Sequence, residues 1–207
     1  MMKLMLGRAV LIFAALIPAA HAGILYDNTA FDTFLSVSYN GGSYSGIGDQ
    51  IHLVSAGNAA TALLQFYNES DAGSFGVELR FYDVGAPVGA QIGGVYSVGG
   101  IATAGGDVID VQIPLAGLAL PQDVIFVATI TGVSAGVNLW INLFEPPGAG
   151  SSDNSYLIVQ GDSGFDTAGT IDANVYFQLS DAPAPEPGTC WMLGLGAGLL
   201  ALRRLMA

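Results

Sequence analysis

The sequence predicts an all-β protein whose middle part is an antiparallel β-sandwich or jelly roll of about ten short strands. Apolar residues recur at every second position in the segment 74–82, where Phe75, Val77, Leu79 and Phe81 alternate with polar or small residues. This period turns one face of a strand to a core and the other to water. Glycine- and proline-rich steps separate the apolar runs, and no segment of the middle part keeps a helical period over ten residues.

The other predicted strands are short apolar runs of the same kind. They lie at 53–54, 62–67, 108–113, 124–130, 137–144, 156–159 and 175–179. Steps rich in glycine, asparagine or proline are predicted to be turns between strands. These steps are 40–42, 93–94, 99–100, 105–106 and 146–148.

Composition and charge narrow the class of protein. The chain of 207 residues carries a formal net charge of −12, and its 52% of hydrophobic residues excludes a disordered acidic tail. All 17 acidic residues lie within 23–186, where Arg80 is the single lysine or arginine, so that this part carries −16. A nucleic-acid partner is excluded because it would require a basic face. The single cysteine, Cys190, excludes a disulfide scaffold.

The first 22 residues are predicted to be a secretory signal peptide in helical form. Lys3 and Arg8 give it a positive start, and the apolar run 9–17 is shorter than the roughly 20 residues of a membrane span. Small residues then mark a cleavage site for signal peptidase. The residues of that site are Ala20, Ala22 and Gly23, the last being the first residue of the mature chain.

The C-terminal part is predicted to be separate from the folded domain, 23–180. Three prolines in the linker 181–189 exclude both a helix and a central strand. A short apolar helix is predicted within 190–207, and the run 190–202 would reach only about 20 Å across a hydrocarbon core of roughly 30 Å. Arg203 and Arg204 are expected to stay cytoplasmic while the acidic domain crosses the membrane.

The tail also carries a resemblance to a known family. Pro185-Glu186-Pro187, a small-polar step, a Gly- and Leu-rich run and Arg203-Arg204 follow one another. In this order they resemble the PEP-CTERM sorting tail of Gram-negative bacteria. The resemblance implies export through the inner membrane, transient membrane insertion of the tail, and its removal by an exosortase, a membrane-embedded transpeptidase-like enzyme. Cys190 departs from the family pattern and leaves a thiol-dependent sorting system or lipidation open.

The middle of the chain is also loosely similar to ectodomains carried on such proteins, in the segments 25–28, 48–51 and 77–82. Those ectodomains share no common activity. The resulting prediction is a non-catalytic protein of the cell surface or extracellular matrix, with exopolysaccharide, as in a biofilm, as a partner that the resemblance suggests. The alternative is a secreted glycan-binding or glycan-active sandwich domain.

Two local patterns invite a chemical interpretation. The segment 161–164, Gly-Asp-Ser-Gly, matches the residues around the nucleophile of trypsin-like proteases, but such a serine needs a histidine held by a carboxylate. His52 is the single histidine after residue 22, and it is predicted to lie at the surface, so no catalytic residue is assigned. Oxygen ligands for calcium could come from Asp153, Asn154, Asp162, Asp166, Asp172 and Asn174. Solubility is the alternative role of these residues, and no cofactor or metal ligand is assigned.

Aromatic residues supply the candidates for glycan binding. A platform on which sugars stack could be drawn from Tyr39, Tyr44, Tyr67, Tyr82, Tyr96, Trp140, Tyr156 and Tyr176. Trp140 is expected instead to be a core residue, since an alternating strand buries one of its faces.

Overall fold

The structure, a computed structural model, describes residues 23–39, 46–85, 88–152, 156–159, 165–168 and 173–181. Within these ranges it contains β-strands and no helix, and therefore no helix that could cross a membrane. In chain order the strands are β1 (Ile24–Asn28), β2 (Asp32–Tyr39), β3 (Gly46–His52), β4 (Gly57–Asn68), β5 (Gly73–Val84), β6 (Val88–Thr103), β7 (Val108–Leu120), β8 (Asp123–Thr131), β9 (Leu139–Phe144), β10 (Ser151–Ser152), β11 (Tyr156–Val159), β12 (Phe165–Ala168), β13 (Asn174–Val175) and β14 (Phe177–Ser180).

The strands form two seven-stranded sheets in which each described pairing is antiparallel. The order of the first sheet is β1-β14-β4-β9-β13, with β7 also paired to β4 and β2 to β9. The order of the second sheet is β12-β11-β3-β8-β5-β6, with β10 also paired to β3. The predicted all-β, antiparallel class is therefore confirmed.

Side chains from both sheets share one apolar core. Phe126 of β8 stacks on Phe177 of β14 with ring centroids 3.8 Å apart, and Phe66 of β4 meets Phe75 of β5 edge to face at 5.4 Å. All four side chains are at most 1% exposed. Burying one such side chain stabilises a fold by about 1.5–3 kcal/mol, so these contacts tie the two sheets together.

The alternation predicted in 74–82 is confirmed in β5. The four apolar side chains at odd positions are at most 1% exposed, whereas Glu78 and Arg80 are partly exposed. Nη2 of Arg80 donates to Oε2 of Glu78 at 2.7 Å on the polar side of the strand.

Two steps that were predicted to be turns lie inside a strand. The glycine pairs 93–94 and 99–100 belong to β6, at the places where its register against β5 shifts. Gly93 and Gly100 have φ values of 69° and 67°, which glycine adopts without strain. A bulge of this kind bends a strand without ending it, so the prediction of turns was wrong. The steps 105–106 and 146–148 do lie between strands, and 40–42 lies outside the described residues.

The prediction of a strand at 53–54 was also wrong, because the strand precedes these residues. β3 ends at His52, and the buried Leu53 belongs to the following loop, where its N–H donates to the carbonyl of Gln122 at 2.7 Å. The segment 48–51, named above only for its similarity to known ectodomains, lies inside β3. At Gly48, an added Cβ would collide with the backbone of Phe126 on β8, so glycine is required for the two strands to approach.

Several sequence predictions concern residues outside the described ranges. The signal helix 1–22, with Ala20 and Ala22, and the apolar helix within 190–207 lie there. So do the sorting residues Pro185, Glu186, Pro187, Arg203 and Arg204. Gly23 is the first described residue, and Asp181, the first residue of the predicted linker, is the last.

A pair of substitutions in β5 tests the burial pattern. We expect Leu79→Asp to destabilise the protein by about 3 kcal/mol or more, because it places a charge without a partner at a position that is 0% exposed. Glu78→Gln, one position away on the other face, should cost no more than about 1 kcal/mol, the usual limit for a partly exposed ion pair. Urea unfolding followed by circular dichroism measures the free energy of unfolding of both variants. Equal decreases would contradict the alternation of buried and exposed positions in β5.

Candidate functional site

One face of the first sheet is polar and partly exposed. In β4, Leu64 and Phe66 are 0% exposed, whereas Gln65 and Tyr67 point to the other side and are half-buried. A sheet with one core-facing side requires this alternation. We call this side the polar face and define it by residues of β4, β7 and β9: Gln65, Tyr67, Asp110, Trp140 and Asn142.

Trp140 lies on the polar face, so the expectation that it is a core residue was wrong. Its neighbours Leu139 and Ile141 are at most 1% exposed and occupy the core side, which sends Trp140 to the opposite side of β9. Tyr67 of β4 is its direct cross-strand partner. Directly opposed residues have Cβ atoms about 4.5–5.5 Å apart, so Tyr67 and Trp140 stand side by side and form the aromatic pair of this face.

Glu69, just after β4, fixes the orientation of the indole ring. Its Oε2 accepts hydrogen bonds from Nε1 of Trp140 at 3.0 Å and from Nδ2 of Asn138 at 2.8 Å. The single donor of the indole is thereby used within the protein. The exposed part of the ring is left as an apolar surface on a rigid strand.

A row of amide and carboxyl groups runs beside the aromatic pair. Nδ2 of Asn142 donates to Oε1 of Gln65 at 2.8 Å, and Nε2 of Gln65 donates to Oδ1 of Asp110 at 3.0 Å. Each bond leaves further donor and acceptor positions on these side chains. The row therefore crosses β9, β4 and β7 with hydrogen-bonding groups that point away from the core.

The combination is chemically compatible with a carbohydrate ligand. The C–H faces of a sugar ring pack on an aromatic surface, and its hydroxyl groups exchange hydrogen bonds with amides and carboxylates. The polar face offers both kinds of group on strands whose positions are fixed by a core. A polyanion would be repelled, since the part 23–186 carries −16.

The remaining aromatic candidates do not join this face. Tyr96 packs against Phe81 with ring centroids 6.4 Å apart, and Tyr176 against Phe144 at 4.8 Å. Tyr82 packs on a separate small cluster in the second sheet. Tyr39 and Tyr156 lie in β2 and β11, but their side chains, and the whole of Tyr44, are outside the described part of the chain.

The structure also shows exposed apolar side chains that the sequence analysis missed. Phe31, Phe34 and Leu35 are 56%, 92% and 44% exposed at the start of β2. Phe34 has a φ of 58°, and its N–H donates to Oδ1 of Asp32 at 2.7 Å. This local turn shifts the register of β2 against β9 and directs the ring outward, a conformation that no sequence pattern indicated.

His52 is exposed, as predicted, and it pairs with Asp123. Its Nδ1 lies 2.7 Å from Oδ1 of Asp123, and the two side chains are 46% and 61% exposed. Ser151 is opposite His52 in the ladder between β10 and β3. Nucleophilic catalysis by a hydroxyl, an imidazole and a carboxylate also needs oxyanion donors at a site screened from water. Because His52 and Asp123 are this exposed, we interpret their contact as a surface interaction. The protease-like segment 161–164 lies outside the described residues.

The calcium hypothesis gains no support from the described residues. Among them, no group of three or more His, Cys, Asp or Glu side chains is placed to hold a metal ion. Asp153, Asn154, Asp162 and Asp172 lie outside the described ranges, and Asp166 lies in β12 without a described side chain. Asn174 is 0% exposed in β13.

A buried hydroxyl group lies inside the core on β1, the first described strand. Tyr26 of β1 is 0% exposed, and its hydroxyl donates to Oγ of Ser152 at 3.3 Å. Burial raises the pKa of Tyr26 far above its usual value, and the nearby carboxyl of Asp49, also 0% exposed, raises this pKa further. Both causes disfavour the ionised phenolate.

Comparisons with protein-family models, with curated proteins and with solved structures find no match to this chain.

Tyr26 gives a prediction on alkaline pH. Because its pKa is raised in the folded state, the stability linked to its neutral form is complete below about pH 10 and is lost as pH rises above that value. We expect Tyr26→Phe to reduce this loss of stability at alkaline pH. Near neutral pH the substitution should lower the free energy of unfolding by about 1 kcal/mol, because it removes the hydrogen bond to Ser152. Urea unfolding between pH 7 and 11 measures it. A Tyr26→Phe protein that loses stability as steeply as the unmodified protein above pH 10 would contradict the assignment.

Proposed function

We propose that the protein is an exported, non-catalytic protein of the cell surface or extracellular matrix, delivered by a cleaved signal peptide and an exosortase-type sorting tail. The ordered C-terminal sequence carries the proposal: Pro185-Glu186-Pro187, an apolar run, then Arg203-Arg204. The position of the last described strand supports it, because β14 ends at Ser180, directly before the proline-rich linker. A folded domain followed by an extended linker leaves such a tail accessible to a sorting enzyme.

The same proposal includes a sandwich arrangement of jelly-roll type for the two sheets. It is supported by a core to which both sheets contribute and by the ring contacts of Phe126 with Phe177 and of Phe66 with Phe75. Two sheets that face one core leave their other faces to solvent. The polar face is then available for a ligand outside the cell.

Charge distribution supports the direction of export. The part 23–186 carries −16, and the basic residues outside it lie near the two ends of the sequence. Basic residues next to an apolar segment are retained on the cytoplasmic side. Signal peptidase and an exosortase are the processing partners in this scheme, and the tail inserts into the inner membrane only until it is removed.

A second candidate function, glycan binding, is favoured by the aromatic pair and its amide row. The ligand class is a neutral polysaccharide, because the acidic surface repels anionic chains. This function is compatible with the first one, since a matrix protein that binds a polysaccharide stays in the matrix. In this function the polysaccharide contacts Tyr67 and Trp140 and the amide groups of Gln65 and Asn142.

The sorting tail is tested by mass spectrometry of the exported protein from a host that contains an exosortase. We expect a chain that begins at Gly23 and ends between Glu186 and Thr189. Replacing Pro185, Glu186 and Pro187 with alanine should leave signal cleavage intact and retain the tail, so that the protein accumulates in the inner-membrane fraction. Replacing Arg203 and Arg204 should instead impair the orientation of the terminus. A released protein that still ends at Ala207 would reject the proposal.

Glycan binding is tested by the fluorescence of Trp140. The chain has two tryptophans, Trp140 and Trp191, so that a processed protein without its tail reports from the polar face alone. Soluble neutral glucan oligosaccharides should change this emission, and Tyr67→Ala should weaken their binding by about tenfold or more, which is about 1.4 kcal/mol.

Phe34→Ala is the matched control, because it removes a more exposed aromatic ring that is not one of the residues of the polar face. It should leave glucan binding unchanged. Binding that survives Tyr67→Ala and disappears in Phe34→Ala would place the contact at the start of β2. Unchanged emission over the whole oligosaccharide panel would reject the glycan-binding function for neutral glucans.

A further inference from the structure

The two ends of the described domain are joined to each other. β1 pairs with β14, and Ile24 is opposite Ser180. One residue further out, the backbone N–H of Gly23 donates to Oδ1 of Asp181 at 2.5 Å. The N–H of Asp181 donates in return to the carbonyl oxygen of Gly23 at 3.0 Å. The first and the last described residue, Gly23 and Asp181, therefore exchange two hydrogen bonds, one of them with a carboxylate.

Gly23 allows this contact to be close because it has no side chain. A Cβ added at this position would lie 2.6 Å from Oδ2 of Asp181 and 3.0 Å from its Cγ. With any other residue at this position the carboxylate of Asp181 would have to shift. The absence of a side chain at residue 23 thus lets Asp181 approach the nitrogen closely.

The nitrogen that Asp181 contacts is the one that signal cleavage is proposed to set free. Hydrolysis of the bond between Ala22 and Gly23 leaves a carboxylate on Ala22 and an amine on Gly23. An α-amino group has an ordinary pKa of about 8, so it takes up a proton and is an ammonium group near neutral pH. In the precursor the same atom is a neutral amide.

We propose that Asp181 is the binding site for the α-ammonium group of Gly23, so that removal of the signal peptide creates an ion pair between the N-terminus and the start of the linker. This inference rests on the proposed signal cleavage. Cleavage puts a positive charge on the donor of a hydrogen bond whose acceptor is already a carboxylate, so the contact gains a direct attraction between opposite charges. It ties β1 to β14 in the mature protein, at the point where the chain leaves the domain towards the sorting tail.

The composition of the chain gives this proposal a clean chemical test. Lys3 is the single lysine of the sequence, so that a mature chain beginning at Gly23 has one amine, its own α-amino group. Amine acylation by an N-hydroxysuccinimide ester consumes the unprotonated form. A carboxylate that stabilises the ammonium form lowers the amount of the unprotonated amine. It therefore slows the reaction.

The experiment compares acylation rates of exported, processed proteins at neutral pH by intact mass. We expect Asp181→Asn to react about two- to fivefold faster than the unmodified protein, the factor that the energy of an exposed ion pair allows. Asp83→Asn is the control, because it removes an equal charge from an exposed position of β5. It should react at the unmodified rate, which separates the local contact from a general change in net charge.

A second variant tests the role of the missing side chain. Gly23→Ala should accelerate acylation like Asp181→Asn, and the double variant should react no faster than either single variant, because both changes remove the same contact. Equal rates for the unmodified protein and Asp181→Asn, on chains whose mass begins at Gly23, would reject the ion pair and leave the processing proposal intact. A mature chain that begins at another residue would overturn both.

Discussion

The shared apolar core is the constraint on which the rest of the molecule depends. Phe126 of the second sheet lies flat on Phe177 of the first, and Phe66 meets Phe75 across the same core. Each sheet must direct one set of alternate side chains to these contacts. The other set is thereby fixed as well, so the core determines which residues reach the polar face. Trp140 is directed outward because Leu139 and Ile141 occupy the core side of β9.

The strand pattern was partly readable from the sequence, and the errors have physical causes. The alternation in β5 gave the correct faces for Leu79 and Glu78. Trp140 was expected in the core because an alternating strand buries one of its faces, but the polar residues Asn138 and Asn142 share the parity of Trp140 and indicate the other face. The same alternation that was used for β5 would have placed Trp140 correctly. The glycine pairs in β6 could not be assigned from local chemistry, since a positive φ serves a turn and a bulge equally well.

The candidate site could be predicted only as a set of residue types. Aromatic residues were named as a platform, but their selection needs the pairing of β4 with β9 and of β4 with β7. Those pairings join residues about 40 to 75 positions apart, and cross-strand register over such separations is set by the whole sheet. The hydrogen bonds from Asn142 through Gln65 to Asp110 follow from that register. The sequence therefore identifies the aromatic and amide side chains of the site but not their arrangement in space.

The pairing of the two ends of the described domain has a consequence for the proposed export route. The linker was predicted from its prolines, yet the position of Asp181 beside Gly23 depends on the antiparallel pairing of β1 with β14. The peptide bond before Gly23 and the linker after Asp181 are attached to the domain at adjacent points. A domain anchored by its signal peptide and a domain anchored by its tail would thus be attached through the same edge. In the proposed scheme, removal of the signal peptide places the new ammonium group beside the carboxylate that begins the linker.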